Sequence, residues 1–296
     1  MELPGGEVLQ GHFRDGLPHG RCEVLQGHFR DGLPHGRCEY FDPEDQTTLV
    51  GIYNAGQLNG PAVQLDDAQR LVFCGSFQND LRVGLAQVFD EYGGCVMGEV
   101  DGCGEHSGDN LMYVFPDGLT ALVGTFHDGE FRHGRYAMLQ ERMEVNSSLE
   151  AVSALKTPGY VFSEDISTTV HRDVSSKDKL CDQPLVQDLY EYLRVEVRES
   201  TIRSDMDGLF ARRNLEAGEL CSWYNGLRCT HEEVDGREWR LNDATITLDA
   251  ETVLDVPAEF VPADAFKACL GHKANHRKPN NAKYDVFDHP RYGLIK

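Results

Sequence analysis

A short glycine-rich repeat in the first half of the chain constrains its fold more than any other feature. The decapeptide Gly-His-Phe-Arg-Asp-Gly-Leu-Pro-His-Gly begins at Gly11 and returns, letter for letter, at Gly27. Looser copies begin at Gly51, Gly75, Gly98 and Gly124. Most starts are 23 or 24 residues apart, and a period of this length indicates a stacked array of one structural unit.

Each copy has the pattern of a β-hairpin. A Gly-x-aromatic triplet opens a strand, an Asp-Gly or Ala-Gly pair makes the turn, and a second glycine begins the return strand. One hairpin alone is marginally stable in water, whereas a ladder of hairpins buries a continuous face. The pattern therefore predicts an antiparallel ladder over residues 1–140. Residues 7–22 and 23–38 are identical, which we interpret as a recent local duplication or a gene-prediction error.

The chain is strongly acidic. It carries 49 Asp and Glu side chains against 28 Lys and Arg, a formal net charge of -21. Such a surface repels phosphates, which argues against direct DNA binding. It favours a basic partner through complementary charge, or it serves solubility alone.

Cysteine usage and hydropathy exclude several classes of protein. The nine cysteines are scattered with no Cys-x-x-Cys pair, so neither a disulfide framework nor a metal site is expected. The N-terminal sequence has no signal-peptide pattern, and no apolar run approaches the roughly 18 residues that span a bilayer. We expect an intracellular protein without a transmembrane segment.

The glycine period ends near residue 140, and a different organisation follows. Residues 141–192 are interpreted as a connecting segment, because turn-forming stretches dominate it around a possible strand at 159–162. Residues 193–296 are predicted to form a second domain, opened by the alternating strand Leu-Arg-Val-Glu-Val-Arg-Glu-Ser (193–200).

Local patterns predict further elements in this second domain. Leu-Cys-Ser-Trp-Tyr-Asn-Gly (220–226) is interpreted as a strand. Thr230 with Glu233 forms a capping-box pattern that starts a short helix. Residues 262–270 are interpreted as a helix closed by Gly271.

Five motifs in the second half occur in an order that resembles a SET domain. They are Gly-Leu-Phe-Ala (208–211), Tyr-Asn-Gly (224–226), Thr-His-Glu-Glu-Val-Asp (230–235), Gly-His-Lys-Ala-Asn-His (271–276) and Tyr-Asp-x-Phe-x-His-Pro-Arg-Tyr-Gly (284–293). The repeats ahead of them resemble MORN repeats. The chain thus resembles the histone-lysine methyltransferase family that carries an N-terminal MORN array. The implied fold class is mainly β, with a MORN hairpin ladder followed by a SET-domain β fold with short helices.

The resemblance implies a protein-lysine N-methyltransferase that uses S-adenosyl-L-methionine and acts on histone tails or other lysine-containing proteins. It also implies a nuclear, chromatin-associated location that can extend to the cytoplasm, and a monomer is favoured. By motif, the cofactor-binding residues are Asp205, Met206, Asp207, Asn275 and His276. The catalytic residues, which line the lysine channel, are Tyr224 and Tyr284. The substrate-side residues are Asp235, Trp239, Thr245 and Lys273.

Two departures from the family pattern keep an alternative open. Arg277 replaces the Ser that normally follows Asn-His, while Pro279 is shifted by one and Asn281 stands in place of an Asn-Cys pair. The chain as given ends at Lys296, before the acidic-Leu-x-x-x-Tyr-x-Tyr segment of the family, so this part of the SET domain is expected to be missing. The alternative is a catalytically inactive binding or scaffold protein based on the MORN array.

Overall fold

The computed structural model describes residues 8–14, 17–31, 33–164, 168–202, 206–276 and 278–296. The chain divides into two compact units. The first comprises residues 1–130 and 138–161, and the second comprises residues 131–137 and 162–296. The fold is mainly β, as the sequence predicts.

Thirteen strands form one sheet in which neighbours along the chain are neighbours in space. The order is β1 to β12, and β13 pairs with β11. The strands are β1 (Val8–Arg14), β2 (Leu17–Arg30), β3 (Leu33–Asp42), β4 (Thr47–Asn54), β5 (Gln57–Leu65), β6 (Leu71–Gln78), β7 (Leu81–Phe89), β8 (Cys95–Glu99), β9 (Gly108–Val114), β10 (Thr120–His127), β11 (Glu130–Leu139), β12 (Tyr160–Phe162) and β13 (Val170–His171). This is the ladder of consecutive hairpins that the repeat predicts.

The repeat glycines coincide with irregularities in the strand register. The pairing of β4 with β5 shifts between Gly51 and Tyr53, and that of β10 with β9 shifts between Gly124 and Phe126. At Gly51 an added Cβ would lie 2.4 Å from the Leu58 Cδ1 atom, which is closer than real Cβ atoms approach. Glycine recurs there because the neighbouring side chain folds over the backbone.

The core of the first unit follows one cross-strand row. Register places Val50, Val63, Cys74, Gln87, Met97 and Met112 opposite one another along successive strands, and all six are buried. Burial of each large apolar side chain contributes about 1.5–3 kcal/mol. The short helix α1 (Leu149–Ser153) packs against β5 and β6 and buries Val152. The Ser148 side chain caps it by accepting from the Ala151 N–H at 3.2 Å.

The second unit contains three small sheets and short helical turns. The sheets are β14 (Val195–Glu199) with β15 (Asp207–Ala211); β16 (Leu227–Thr230), β18 (Thr252–Asp255) and β17 (Thr245–Thr247) in that spatial order; and β19 (Phe287–His289) with β20 (Gly293–Ile295). The helices are α2 (Leu189–Tyr192) and α3 (His231–Asp235), with 3-10 turns at Trp239–Asn242, Ala258–Phe260 and Gly271–Lys273. Trp223 is fully buried and stacks on Phe287 with ring centroids 4.5 Å apart.

Several local predictions outside the repeats are confirmed. Strand β14 occupies the alternating stretch, and β12 forms at the possible strand in the connecting segment. Thr230 caps α3 in a full capping box, since its Oγ1 accepts from the Glu233 N–H at 3.2 Å and the Glu233 carboxylate accepts from the Thr230 N–H at 2.9 Å.

Two local predictions are wrong, for a shared physical reason. Residues 262–270 form turns and no helix, because the Lys267 and Ala268 N–H groups donate to the carbonyl of Pro184, at 2.6 and 3.0 Å. Residues 220–226 form no strand, because the Trp223 N–H donates to the Glu191 carboxylate at 3.0 Å. In both segments backbone donors bond to distant partners, so the local pattern does not decide the structure.

The helices of the described residues are all too short to cross a membrane as an apolar span. Within the same residues, no group of three or more His, Cys, Asp or Glu side chains is arranged to hold a metal ion.

Candidate functional site

An ion pair joins the start of β15 to the 3-10 turn Gly271–Lys273. The Lys273 Nζ atom lies 2.9 Å from a carboxylate oxygen of Asp207. Lys273 is 7% exposed, whereas the Asp207 side chain is 44% exposed. The buried ammonium therefore holds a carboxylate that still faces solvent and can meet a ligand.

Asn275 lies beside this ion pair, and the three residues Asp207, Lys273 and Asn275 are called the corner below. Its Nδ2 atom donates to the Ser200 Oγ atom at 2.9 Å, and a Cβ added to Gly208 would lie 2.8 Å from that nitrogen. The Ser200 N–H donates in turn to the Met206 carbonyl at 2.9 Å. The end of β14, the start of β15 and the loop after residue 273 therefore meet at one place, and Gly208 is needed for the close approach.

The remaining residues expected near the cofactor border this corner. Met206 immediately precedes β15 and is 45% exposed. His276 follows Asn275 and is exposed. Asp205 lies outside the described residues.

The two tyrosines of the expected lysine channel contact each other. The rings of Tyr224 and Tyr284 meet edge to face, with centroids 5.8 Å apart and an interplanar angle of 81°. The Tyr284 hydroxyl donates to the Gly271 carbonyl at 3.0 Å. Burial of Tyr224 and the partial burial of Tyr284 raise the pKa of each phenol above the ordinary tyrosine value, so both stay protonated at neutral pH. They can orient and shield a group, but neither serves as a base there.

Backbone hydrogen bonds fix Tyr224 on both sides. Its N–H donates to the Lys296 carbonyl at 2.5 Å, and the Lys296 N–H donates back at 3.1 Å. The preceding carbonyl, that of Trp223, accepts from the Gly271 N–H at 2.7 Å. A Cβ on Gly271 would lie 2.7 Å from the same carbonyl oxygen, so this position also requires glycine.

His272, inside the Gly-His-Lys-Ala-Asn-His motif, is a packing residue. Its ring stacks on Phe266 at 5.6 Å and meets Tyr224 edge to face at 6.3 Å. Burial lowers the pKa of His272 to about 4. The ring is therefore neutral at physiological pH and adds no charge beside Tyr224.

The substrate-side residues are distributed over the β16–β18–β17 sheet and its connections. Thr245 opens the edge strand β17, pairs with Asp255 and donates from Oγ1 to the Asn242 carbonyl at 2.9 Å. The Asp255 carboxylate contributes to the raised pKa of Tyr224, after burial and Tyr284. Asp235 lies exposed at the end of α3, and Trp239 begins a 3-10 turn.

Sequence reasoning missed Asp255 and its partner Arg237. Asp255 is 6% exposed, and its carboxylate accepts from Arg237 Nη1 at 2.8 Å. Arg237 Nε also donates to the Asn242 side chain at 2.6 Å. The sequence did contain a signal for this pair, an acidic residue at the end of the apolar strand Thr252–Asp255. A charge buried there requires a counter-charge.

Comparison with known proteins shows which families these features resemble. Residues 77–149 match the family described as "Histone H3 K4-specific methyltransferase SET7 N-terminal". Residues 10–23 and 26–45 match the MORN repeat. A region similar to the SET7 N-terminal domain thus follows two matches to the MORN repeat. The expected resemblance to a histone-lysine methyltransferase with MORN repeats is confirmed, and the matched family is of the SET7 type.

A relative extends the SET7-type similarity beyond the repeats. The chain is similar to the histone-lysine N-methyltransferase SETD7 of Halocynthia roretzi, with 33% identity over 240 residues. The aligned region covers 80% of this chain and 60% of the relative. The aligned part of the chain therefore spans 60% of the length of this relative.

Proposed function

We propose that the chain is a protein-lysine N-methyltransferase that depends on S-adenosyl-L-methionine. One observation carries this proposal: the Asp207–Lys273–Asn275 corner and the Tyr224–Tyr284 pair are built on the same turn, Gly271–Lys273. We assign residues 1–140 to the MORN array, 141–192 to a connecting segment and 193–296 to a SET domain. The similarity to SETD7 supports the methyltransferase class.

The residues at the corner fit the proposed cofactor chemically. Asp207 offers a half-exposed carboxylate suited to an ammonium group, and the Asn275 amide can donate and accept. Met206 and His276 offer exposed side chains that can pack beside a purine ring. When bound, S-adenosyl-L-methionine supplies a methyl group activated on a sulfonium centre, so the protein needs no metal for the transfer.

The tyrosine pair would act by orientation and exclusion of water. Neutral phenols lining a passage can accept or donate to a lysine amine while their rings exclude solvent. A low-dielectric passage also disfavours the ammonium form and lowers the pKa of an entering lysine. Holding the free amine in line with the donated methyl group then supplies much of the rate acceleration.

The proposed substrates are histone tails and other lysine-containing proteins. Thr245 lies on the edge strand β17, where an extended peptide can add by backbone pairing. The net charge of -21 favours a basic peptide over DNA. The proposed location is the nucleus, in association with chromatin, and also the cytoplasm. The proposed oligomeric state is a monomer.

The deciding experiment measures binding of S-adenosyl-L-methionine by isothermal titration calorimetry. We expect the wild-type chain to bind, and Asn275→Ala to bind about tenfold or more weakly, the effect of about 1.4 kcal/mol. Asn214→Ala, at an exposed position away from this corner, is the matched control and should bind as wild type does. Mass spectrometry of a histone-tail peptide then reports methyl transfer.

The outcomes separate the enzyme from the scaffold alternative. Absence of binding by a folded wild-type chain would overturn the proposal and leave the MORN-based binding or scaffold protein. Equal affinities for wild type and Asn275→Ala would remove Asn275 from the cofactor site.

A further inference from the structure

Glu191 is a fully buried acid that is hydrogen-bonded to the backbone beside both tyrosines of the proposed channel. It lies in helix α2, with 0% of its surface exposed. Its Oε1 atom accepts from Ser222 Oγ at 2.5 Å, from the Trp223 N–H at 3.0 Å and from the Leu270 N–H at 2.9 Å. One oxygen therefore receives donors from two chain segments. One segment lies 31 and 32 residues along the chain from Glu191, and the other lies 79 residues from it.

The two backbone donors occupy informative positions. Trp223 directly precedes Tyr224, and Leu270 directly precedes Gly271, whose carbonyl accepts from the Tyr284 hydroxyl. The same two segments are also joined by the bond from the Gly271 N–H to the Trp223 carbonyl. Displacement of the Glu191 carboxyl would thus shift the two backbone segments that hold the Tyr224 and Tyr284 rings.

A side chain without an acceptor could not replace Glu191 here. The Trp223 and Leu270 N–H groups are buried, and unpartnered buried donors are strongly disfavoured. The second carboxyl oxygen, Oε2, has no hydrogen-bond partner among the described residues, so the acceptor function rests on Oε1. An amide side chain keeps an oxygen at that place, which makes Gln the conservative replacement.

We propose that Glu191 is a positioning residue for the Tyr224–Tyr284 pair. The expected effect on kcat rests on the proposed function, whereas the expected effect on the positions of the two tyrosine rings does not. Glu191 acts through Trp223 and Leu270 and itself touches neither cofactor nor substrate.

The test follows the two tyrosine rings directly, by NMR of protein labelled with ring-¹³C tyrosine. Signals are assigned with Tyr224→Phe and Tyr284→Phe. We expect Glu191→Ala to shift both signals and Glu191→Gln to restore them close to their wild-type positions. Glu219→Gln is the matched control, because Glu219 is a mostly buried acid that pairs with Arg194 and Arg213 instead. It should leave both signals unchanged.

Kinetics supply the second readout. For Glu191→Ala we expect kcat for a lysine peptide to fall about tenfold or more, with the dissociation constant of S-adenosyl-L-methionine changed by less than about twofold. Glu191→Gln should recover most of kcat. Equal loss of kcat and of cofactor affinity would mean general damage and would overturn the positioning role.

A titration of the wild-type protein avoids any failure of Glu191→Ala to fold. Ionisation of Glu191 should move the Tyr224 and Tyr284 signals together, and the movement should vanish in Glu191→Gln. The neighbouring titratable groups that face Glu191 are Asp188, Cys221 and Cys269, so Cys221→Ser and Cys269→Ser identify any contribution of the thiols. The inference is refuted if the Tyr224 and Tyr284 signals change neither in Glu191→Ala nor during the titration of the wild-type protein. Coupled signals without cofactor binding would refute only the proposed function.

Discussion

Single side chains set the properties of the corner around Lys273. Its ammonium is almost fully buried and has a half-exposed carboxylate as counter-charge. We expect Lys273→Met to lower the free energy of unfolding by about 1–2 kcal/mol, since a charge-assisted bond is lost. It should also weaken S-adenosyl-L-methionine binding, because Asp207 is no longer held. Chemical denaturation and calorimetry measure the two effects.

An exposed ion pair of the same type gives the control. Lys177 lies 2.5 Å from Glu233, with the lysine side chain 66% exposed. Lys177→Met should change the free energy of unfolding much less than Lys273→Met does, because solvent screens the exposed pair. Similar losses in the two variants would show that burial of Lys273 has no energetic role.

Glu191 also makes the stability of the chain depend on pH. Burial raises the pKa of its carboxyl to about 8, above the usual value of a glutamate. The folded protein therefore binds a proton that the unfolded chain releases, and stability falls as pH rises from about 4.5 to about 8. We expect the difference in free energy of unfolding between wild type and Glu191→Gln to vary over this window and to level off above it. A flat difference from pH 5 to 9 would contradict the assignment.

At the scale of elements, the repeat glycines define the hairpins. Gly51→Ala places a Cβ 2.4 Å from Leu58 and 3.1 Å from Ala62. We expect a destabilisation of about 1–3 kcal/mol from this overpacking, measured by thermal or chemical unfolding. Gly102, which has open space around it, is the control, and Gly102→Ala should fall within about 0.5 kcal/mol of wild type. Equal effects of the two substitutions would contradict a steric requirement for glycine at position 51.

The helices and strands also show why part of the structure can be predicted from the sequence. A hairpin is specified by residues close in sequence, so the glycine period predicts the ladder, and Thr230 with Glu233 predicts α3. Asn275 bonds to Ser200 across 75 positions, and Leu270 bonds to Glu191 across 79. Contacts of this range leave no local pattern. The expected helix at 262–270 fails for this reason, and the part played by Glu191 becomes visible only in the folded unit.

For the whole molecule, the dominant property is its negative charge of -21. If a basic peptide is the substrate, long-range attraction speeds its capture, and salt screens that attraction within about 10 Å at 0.1 M. We expect KM for a lysine peptide rich in Arg and Lys to rise severalfold between low and high salt, with little change in kcat. A peptide of neutral flanking sequence is the control and should show a much weaker dependence. Equal salt dependence for both peptides would exclude charge steering.

The cross-strand row from Val50 to Met112 has a mechanical consequence. Each hairpin of this part of the sheet is bonded to the hairpins before and after it, in chain order. Tension applied across the strands would load the hydrogen bonds one strand at a time, as in a zipper. Release of one repeat of roughly 24 residues would lengthen the chain by about 80 Å, at the extended reach of roughly 3.4 Å per residue. The ladder should therefore unfold under tension in small, regular steps.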